Sequence, residues 1–145
     1  MTRSQFRQLA DDFYVAPQLA AADFAAARAL GIRTVINNRP DGEAAGQLSD
    51  TEASAAAAAA GLAYAFVPVI PGGIRPETVA ALQETIARHP GPYLAYCRSG
   101  TRSCHMWALA TAGRRPVDEI LSSAAAAGYD LSQARPLLER LARSR

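Results

Sequence analysis

Short apolar runs and stretches of helical spacing take turns along this chain, with turn residues at the joints. Phe13 to Ala16 reads as a short strand ended by Pro17. Leu19 to Leu30 is a helix with apolar positions at Leu19, Phe24, Ala27 and Leu30, closed by Gly31 at a left-handed position. Thr34-Val35-Ile36 is a buried β-branched strand, and the turn-rich NNRPDGEAAGQ after it is a surface loop. Ser49 and Glu52 make a capping box, so Glu52 to Ala60 is a closely packed helix, and Gly61 ends it. Leu62 to Val69 alternates as a strand until PVIPGG breaks it. Pro76 opens a helix that continues from Glu77 to Arg88, with Val79, Leu82 and Ile86 on one face. HPGP turns the chain into a buried strand, Tyr93 to Tyr96. A polar loop follows, then a helix from Ser103 to Ala112 capped by Gly113, and two short helices, Val117 to Ala126 and Pro136 to Arg143.

Strands alternating with helices predict an α/β fold with a mainly parallel sheet covered on both faces. Ligands of such sheets sit beyond the C-terminal strand ends, where the loop after Tyr96 and the NNRPDGE loop both lie. No repeat or linker interrupts the pattern, so residues 1–145 are expected to form one domain.

Composition narrows the function classes. Half the residues are apolar, and the net charge is only +2, too little to point to nucleic acid. All fifteen basic residues are arginine, so any anion site is built from guanidinium groups and backbone amides. No apolar run has membrane-spanning length, and the opening MTRSQFRQLADDFY has no apolar core of signal-peptide length. Together with two cysteines, this predicts free thiols in a reducing compartment, the cytoplasm. Cys97, Cys104 and His105 lack a metal-ligand spacing, and no cofactor is expected.

The chemistry concentrates in YLAYCRSGTRS, Tyr93 to Ser103, where an apolar strand stops at a cysteine and a polar loop leads into a helix. A thiol becomes a useful nucleophile only as the thiolate. Three features favour that form: inward-pointing amides of Arg98, Ser99, Gly100, Thr101, Arg102 and Ser103; the positive end of the following helix; and the guanidinium groups of Arg98 and Arg102. Gly100 lets the backbone turn, and Ser103 is placed to cap the helix or hydrogen-bond the sulfur. Cys104 begins the helix facing the core; its functional reading is a resolving thiol for oxidised Cys97. Arg39 reads either as a second anion-binding group or as a partner of Asp41 or Glu43. Asp23 is expected on a solvated helix face, Met106 and Trp107 in the core, and RPLLERLARSR as an amphipathic closing helix.

The loop resembles those of the cysteine-dependent phosphatases and the rhodanese sulfurtransferases. VINNRPDGE, PVIPGG, YCRSGTRS with its WALA helix, and AAGYDL together resemble the family of the beta-lactamase-hydrolase-like protein, phosphatase-like domain, over almost the whole chain. That resemblance implies a fold like the dual-specificity phosphatases, a sulfurtransferase role, and a domain found alone or fused to a persulfide dioxygenase. Phosphatases of this type place five residues between Cys and Arg and a His before the Cys. Here four residues separate Cys97 from Arg102, and Tyr96 precedes the cysteine, as in CxxGxRS rhodanese loops. One residue fewer shortens the ring by up to about 3.5 Å of chain. The resemblance also implies an acid near Val69 to Gly73, where the sequence reads VIPGG. Asp41 or Glu43 would replace it only if their loop folded over the site.

The expected activity is therefore sulfur transfer. Cys97 would take the outer sulfur of thiosulfate or a low-molecular-weight persulfide, and Arg102 and the loop amides would hold the resulting persulfide. The sulfur would then pass to a thiol, sulfite or cyanide. A persulfide dioxygenase is the protein partner implied, with no role for nucleic acid or membrane. Two alternatives stay open: a phosphatase working through a Cys97 phosphocysteine, and an anion- or persulfide-sensing module without turnover.

Overall fold

The computed structural model describes residues 5–145. Five short strands form one sheet in the order β1-β2-β5-β3-β4. They are β1 (Arg7–Ala10), β2 (Phe13–Ala16), β3 (Thr34–Asn37), β4 (Ala63–Phe66) and β5 (Tyr93–Tyr96). The helices are α1 (Ala21–Ala29), α2 (Asp50–Ala59), α3 (Pro76–Arg88), α4 (Thr101–Thr111), α5 (Val117–Ala126) and α6 (Arg135–Ser144). Strands β2, β5, β3 and β4 are parallel, as the alternation of elements predicts. The exception is β1, an edge strand antiparallel to β2, which makes the sheet mixed. Its RQLA shows no alternation, and an irregular register between Gln8 and Ala10 breaks the period that sequence reading relies on.

Central β5 is buried at all four positions, and successive side chains go to opposite faces. Leu94 and Tyr96 join Leu19, Phe24, Val35, Ala53 and Ala57 in the core beneath α1 and α2. Tyr93 and Ala95 join Val15, Ile36, Leu82, Met106 and Trp107 in the core on the other face. The expected core placement of Met106 and Trp107 therefore holds, and Leu138 of α6 is buried as an amphipathic closing helix requires. In α2, Ala53 and Ala57 are the buried residues of an alanine-rich helix whose Ser49–Glu52 capping box is fully formed.

Two expectations are corrected. Asp23 is not on a solvated face: it is buried, and its Oδ2 accepts from the Ala20 amide at 2.7 Å, closing the N-terminus of α1 where alanine has no capping side chain. NNRPDGEAAGQ is not wholly a surface loop either. Asn37, Asn38 and Arg39 are buried, and only from Pro40 onward does the segment reach the surface. Polar composition concealed this, because these residues find internal partners that the local sequence does not reveal.

Candidate active site

The strand register brings Ala16, Asn37 and Tyr96 level at the C-terminal ends of β2, β3 and β5. Cys97, one residue on, therefore sits where the ends of three strands meet the start of α4. Its amide donates to Ala16 at 3.4 Å, and its side chain is fully buried. The Gly100 amide donates to Cys97 Sγ at 3.1 Å. Gly100 itself caps α4 with φ +93°, a conformation that favours glycine. The eleven-residue α4 then begins at Thr101 with its positive end toward the sulfur. The Gly100 amide and the α4 terminus thus face the sulfur. The Thr101 amide donates to Ser99 Oγ at 3.4 Å, and the Arg98 side chain is exposed.

Arg102, in the first turn of α4, is engaged. Its Nη1 donates to Glu43 Oε2 at 2.8 Å and to the Val69 carbonyl at 2.7 Å, and its Nη2 donates to Glu43 Oε1 at 2.8 Å. The NNRPDGE loop therefore does fold over the site, and Glu43 is the residue it delivers. The Arg102 hydrogen bond and the charges of Arg102 and Arg39 hold the Glu43 carboxyl below the usual carboxylate range despite some burial. In the other direction, Glu43 and the negative charge of Cys97 raise the Arg102 pKa against burial. Asp41 is used elsewhere: its Oδ1 accepts from the Asp50 amide at the start of α2.

Arg39 makes the pairing with Glu43 that one of its two readings anticipated. It is buried, its Nε donates to Glu43 Oε1 at 3.0 Å and its Nη1 to Gln18 Oε1 at 3.0 Å, so it backs the site as an ion-pair partner. Ser103 neither caps α4 nor appears on the sulfur. It lies in the third position of the helix, and its hydroxyl donates to Asn38 Oδ1 at 2.8 Å in a buried contact. Asn38 completes its bonding by donating to the Val67 carbonyl at 2.8 Å, which ties the α4 turn to the segment after β4. Cys104 is buried in the core, and burial first, then the nearby Cys97 charge, pushes its thiol up to about 12. A thiol so reluctant to ionise is a poor resolving nucleophile. Both cysteines are free.

Sequence reading missed three contributors: Asn38, Gln18 and Tyr129. The Gln18 amide donates to the Arg98 carbonyl at 3.2 Å and pins the loop from β2. Tyr129, from the AAGYDL segment, donates its hydroxyl to the Ser99 carbonyl at 3.2 Å, with the Arg7 guanidinium 5.8 Å from its ring centre. Tyr96, which precedes the cysteine, packs edge-on against Phe24 at 6.4 Å, and its hydroxyl has no hydrogen-bond partner among the described residues. A cavity of about 310 Å³ lined by Phe13, Tyr93 and Trp107 lies at the opposite strand ends and is no part of this site. Among the described residues no cluster of His, Cys, Asp and Glu is arranged to hold a metal, and no helix is long and apolar enough to cross a membrane.

Set beside known proteins, residues 5–114 match the family described as beta-lactamase hydrolase-like protein, phosphatase-like domain. A beta-lactamase hydrolase-like protein of Agrobacterium fabrum is 38% identical over 128 residues, which is 87% of this chain but 30% of that protein. The Xylella fastidiosa strain 9a5c counterpart is 44% identical over 114 residues, 77% of this chain and 26% of its own length. The chain thus spans under a third of the curated relatives it matches. Among solved structures, a candidate phosphatase from Neisseria meningitidis superposes with TM-score 0.82 at 35% identity, over 93% of this chain and 96% of that one. Tk-PTP in its active form (TM-score 0.70, 16% identity, 97% of each chain) shares the fold. So does the catalytic core of the PP-IP phosphatase SIW14 from S. cerevisiae (0.65, 13%, 93% of this chain and 83% of that). The cysteine-phosphatase-like fold is thereby shown.

Proposed function

From the premise that this chain belongs to the family of the beta-lactamase hydrolase-like protein, phosphatase-like domain, we propose a cysteine-dependent group-transfer enzyme whose substrate is a small anion and whose transferred group is sulfane sulfur. One observation carries the choice of group. Glu43, the carboxylate that reaches the Cys97 loop, is bound end-on by Arg102, paired with Arg39 and held ionised. It has no proton to give to a departing alkoxide at neutral pH. Sulfite and thiolates leave as stable anions and need none. The four-residue spacing from Cys97 to Arg102 supports the same choice.

In this reading the Cys97 thiolate attacks the outer sulfur of thiosulfate. The S–S bond of the donor breaks, sulfite departs with its electron pair, and Cys97 carries a persulfide. The Gly100 amide and the α4 terminus, aimed at Sγ, stabilise the negative charge at each stage. An acceptor thiolate then attacks the outer sulfur, forms its own persulfide and returns Cys97 to the thiolate.

The second reading is a phosphatase, in which Cys97 attacks phosphorus and the alcohol departs. The 35% identity to the Neisseria candidate phosphatase favours it. Without a committed acid such an enzyme would be confined to acidic leaving groups such as phenols. Parallel assays separate the two. Thiosulfate with cyanide should give thiocyanate, and mass spectrometry should find one added sulfur on Cys97, both abolished by Cys97→Ser. Hydrolysis of a phosphotyrosine peptide with no thiosulfate turnover would replace the first reading with the second.

A further inference from the structure

Arg102 has five N–H donors, and their destinations can be followed one by one. Both Nη1 hydrogens are used, one by Glu43 Oε2 and one by the Val69 carbonyl. One Nη2 hydrogen goes to Glu43 Oε1. Glu43 therefore grips the far end of the guanidinium, and the Val69 carbonyl fixes the edge next to Cδ. The two hydrogens left over, on Nε and on Nη2, lie parallel along the remaining edge. That edge is the fork that accepts a carboxylate, sulfo or phosphoryl group in bidentate fashion. The raised Arg102 pKa responds to charge on Cys97 as well as to Glu43, so the guanidinium is in electrostatic reach of the sulfur.

We propose that Glu43 is a positioning residue: with the Val69 carbonyl it holds Arg102 so that the Nε–Nη2 edge alone is offered to an anion above Cys97. Arg39 is the second cation that keeps the Glu43 carboxylate in place, which is why it is buried behind the site and bonded to Gln18 as well. The inference rests on the proposed function only in taking the bound group to be anionic. The opposite role is a definite rival. A carboxylate beside an anion site repels substrate, and a Glu43 that merely occupied Arg102 would be an inhibitory latch.

Alkylation of Cys97 distinguishes the two without any turnover. In both iodoacetate and iodoacetamide the thiolate displaces iodide and a C–S bond forms, but only iodoacetate offers a carboxylate to the free edge of Arg102. Rates at Cys97 are read by mass spectrometry on the full chain. The wild type should prefer iodoacetate over iodoacetamide by roughly ten-fold more than a small free thiol does, as one bidentate charged contact allows. Glu43→Gln should erase most of that preference while leaving the iodoacetamide rate within about two-fold, a split that general unfolding would not produce. Glu43→Asp, too short to span both nitrogens, should fall between them and serves if the glutamine variant folds poorly. A preference that rises in Glu43→Gln makes Glu43 a latch and overturns the proposal; an unchanged preference, or a wild-type Cys97 inert to both reagents, overturns it too. A wild type that shows the preference but turns over neither thiosulfate nor phosphoesters removes the proposed function and leaves the role of Glu43 standing.

Discussion

At the scale of single residues, the tightest constraint on the loop is the meeting of Gly100 with Tyr129. A Cβ on Gly100 would lie 2.2 Å from the Tyr129 hydroxyl oxygen and 3.1 Å from its Cζ, and the backbone already has φ +93°. Gly100→Ala should therefore cost about 1–3 kcal/mol in urea unfolding from strain and overlap. It should also cut turnover sharply, because the same glycine delivers its amide to Cys97. Tyr129→Phe removes the obstructing oxygen along with one partly exposed hydrogen bond, a loss of about 1 kcal/mol. The double variant should then be less destabilised than the sum of the two, and a double-mutant cycle measures the difference. Strict additivity would mean that Tyr129 does not pack on the loop. YCRSGTRS by itself shows why a glycine is needed for the turn; only the fold supplies the tyrosine above it.

Among the elements, α2 best shows which part of a helix was legible. Its caps were readable because Ser49 and Glu52 act on neighbours three residues away. Its inward face was not, since a run of alanines carries no hydrophobic period. The structure buries Ala57 completely and leaves Ala58 exposed. Ala57→Leu should therefore lower stability by about 1–3 kcal/mol through overpacking. Ala58→Leu, the same change one position on, should stay within about 0.5 kcal/mol. Equal thermal shifts for the two would contradict the orientation of α2. The same reasoning accounts for β1 and Asp23: an edge strand with a broken register and a buried cap both act through contacts that leave no periodic trace.

For the whole molecule, burial of Cys104 links stability to alkaline pH. Its thiol titrates near 9.0 when unfolded and is pushed up to about 12 in the fold, mainly by desolvation and then by the Cys97 charge. Below pH 9 both states keep the proton and nothing is lost. Between the two values the unfolded chain releases the proton while the folded one retains it, so stability falls as pH rises, by up to about 1.4 kcal/mol per pH unit from this group. Urea midpoints at pH 8 and pH 10 should drop further in wild type than in Cys104→Ala, with the difference between the proteins being the quantity of interest. Identical drops would show that Cys104 is hydrated and remove the argument against it as a resolving thiol.

By itself the sequence determined the alternation of strands and helices, the position of Cys97 at a strand end, the four-residue spacing to Arg102 and the family. All of these follow from local periodicity, turn chemistry and motif spacing, which act within a few residues. Tertiary structure decided the rest: that Glu43 grips Arg102 across 59 positions, that Arg39 stands behind it, that Ser103 serves Asn38, and that Tyr129 covers Gly100. Those pairings join segments brought together only by the order of strands in the sheet, and a charged or polar side chain does not announce in sequence which distant partner will satisfy it.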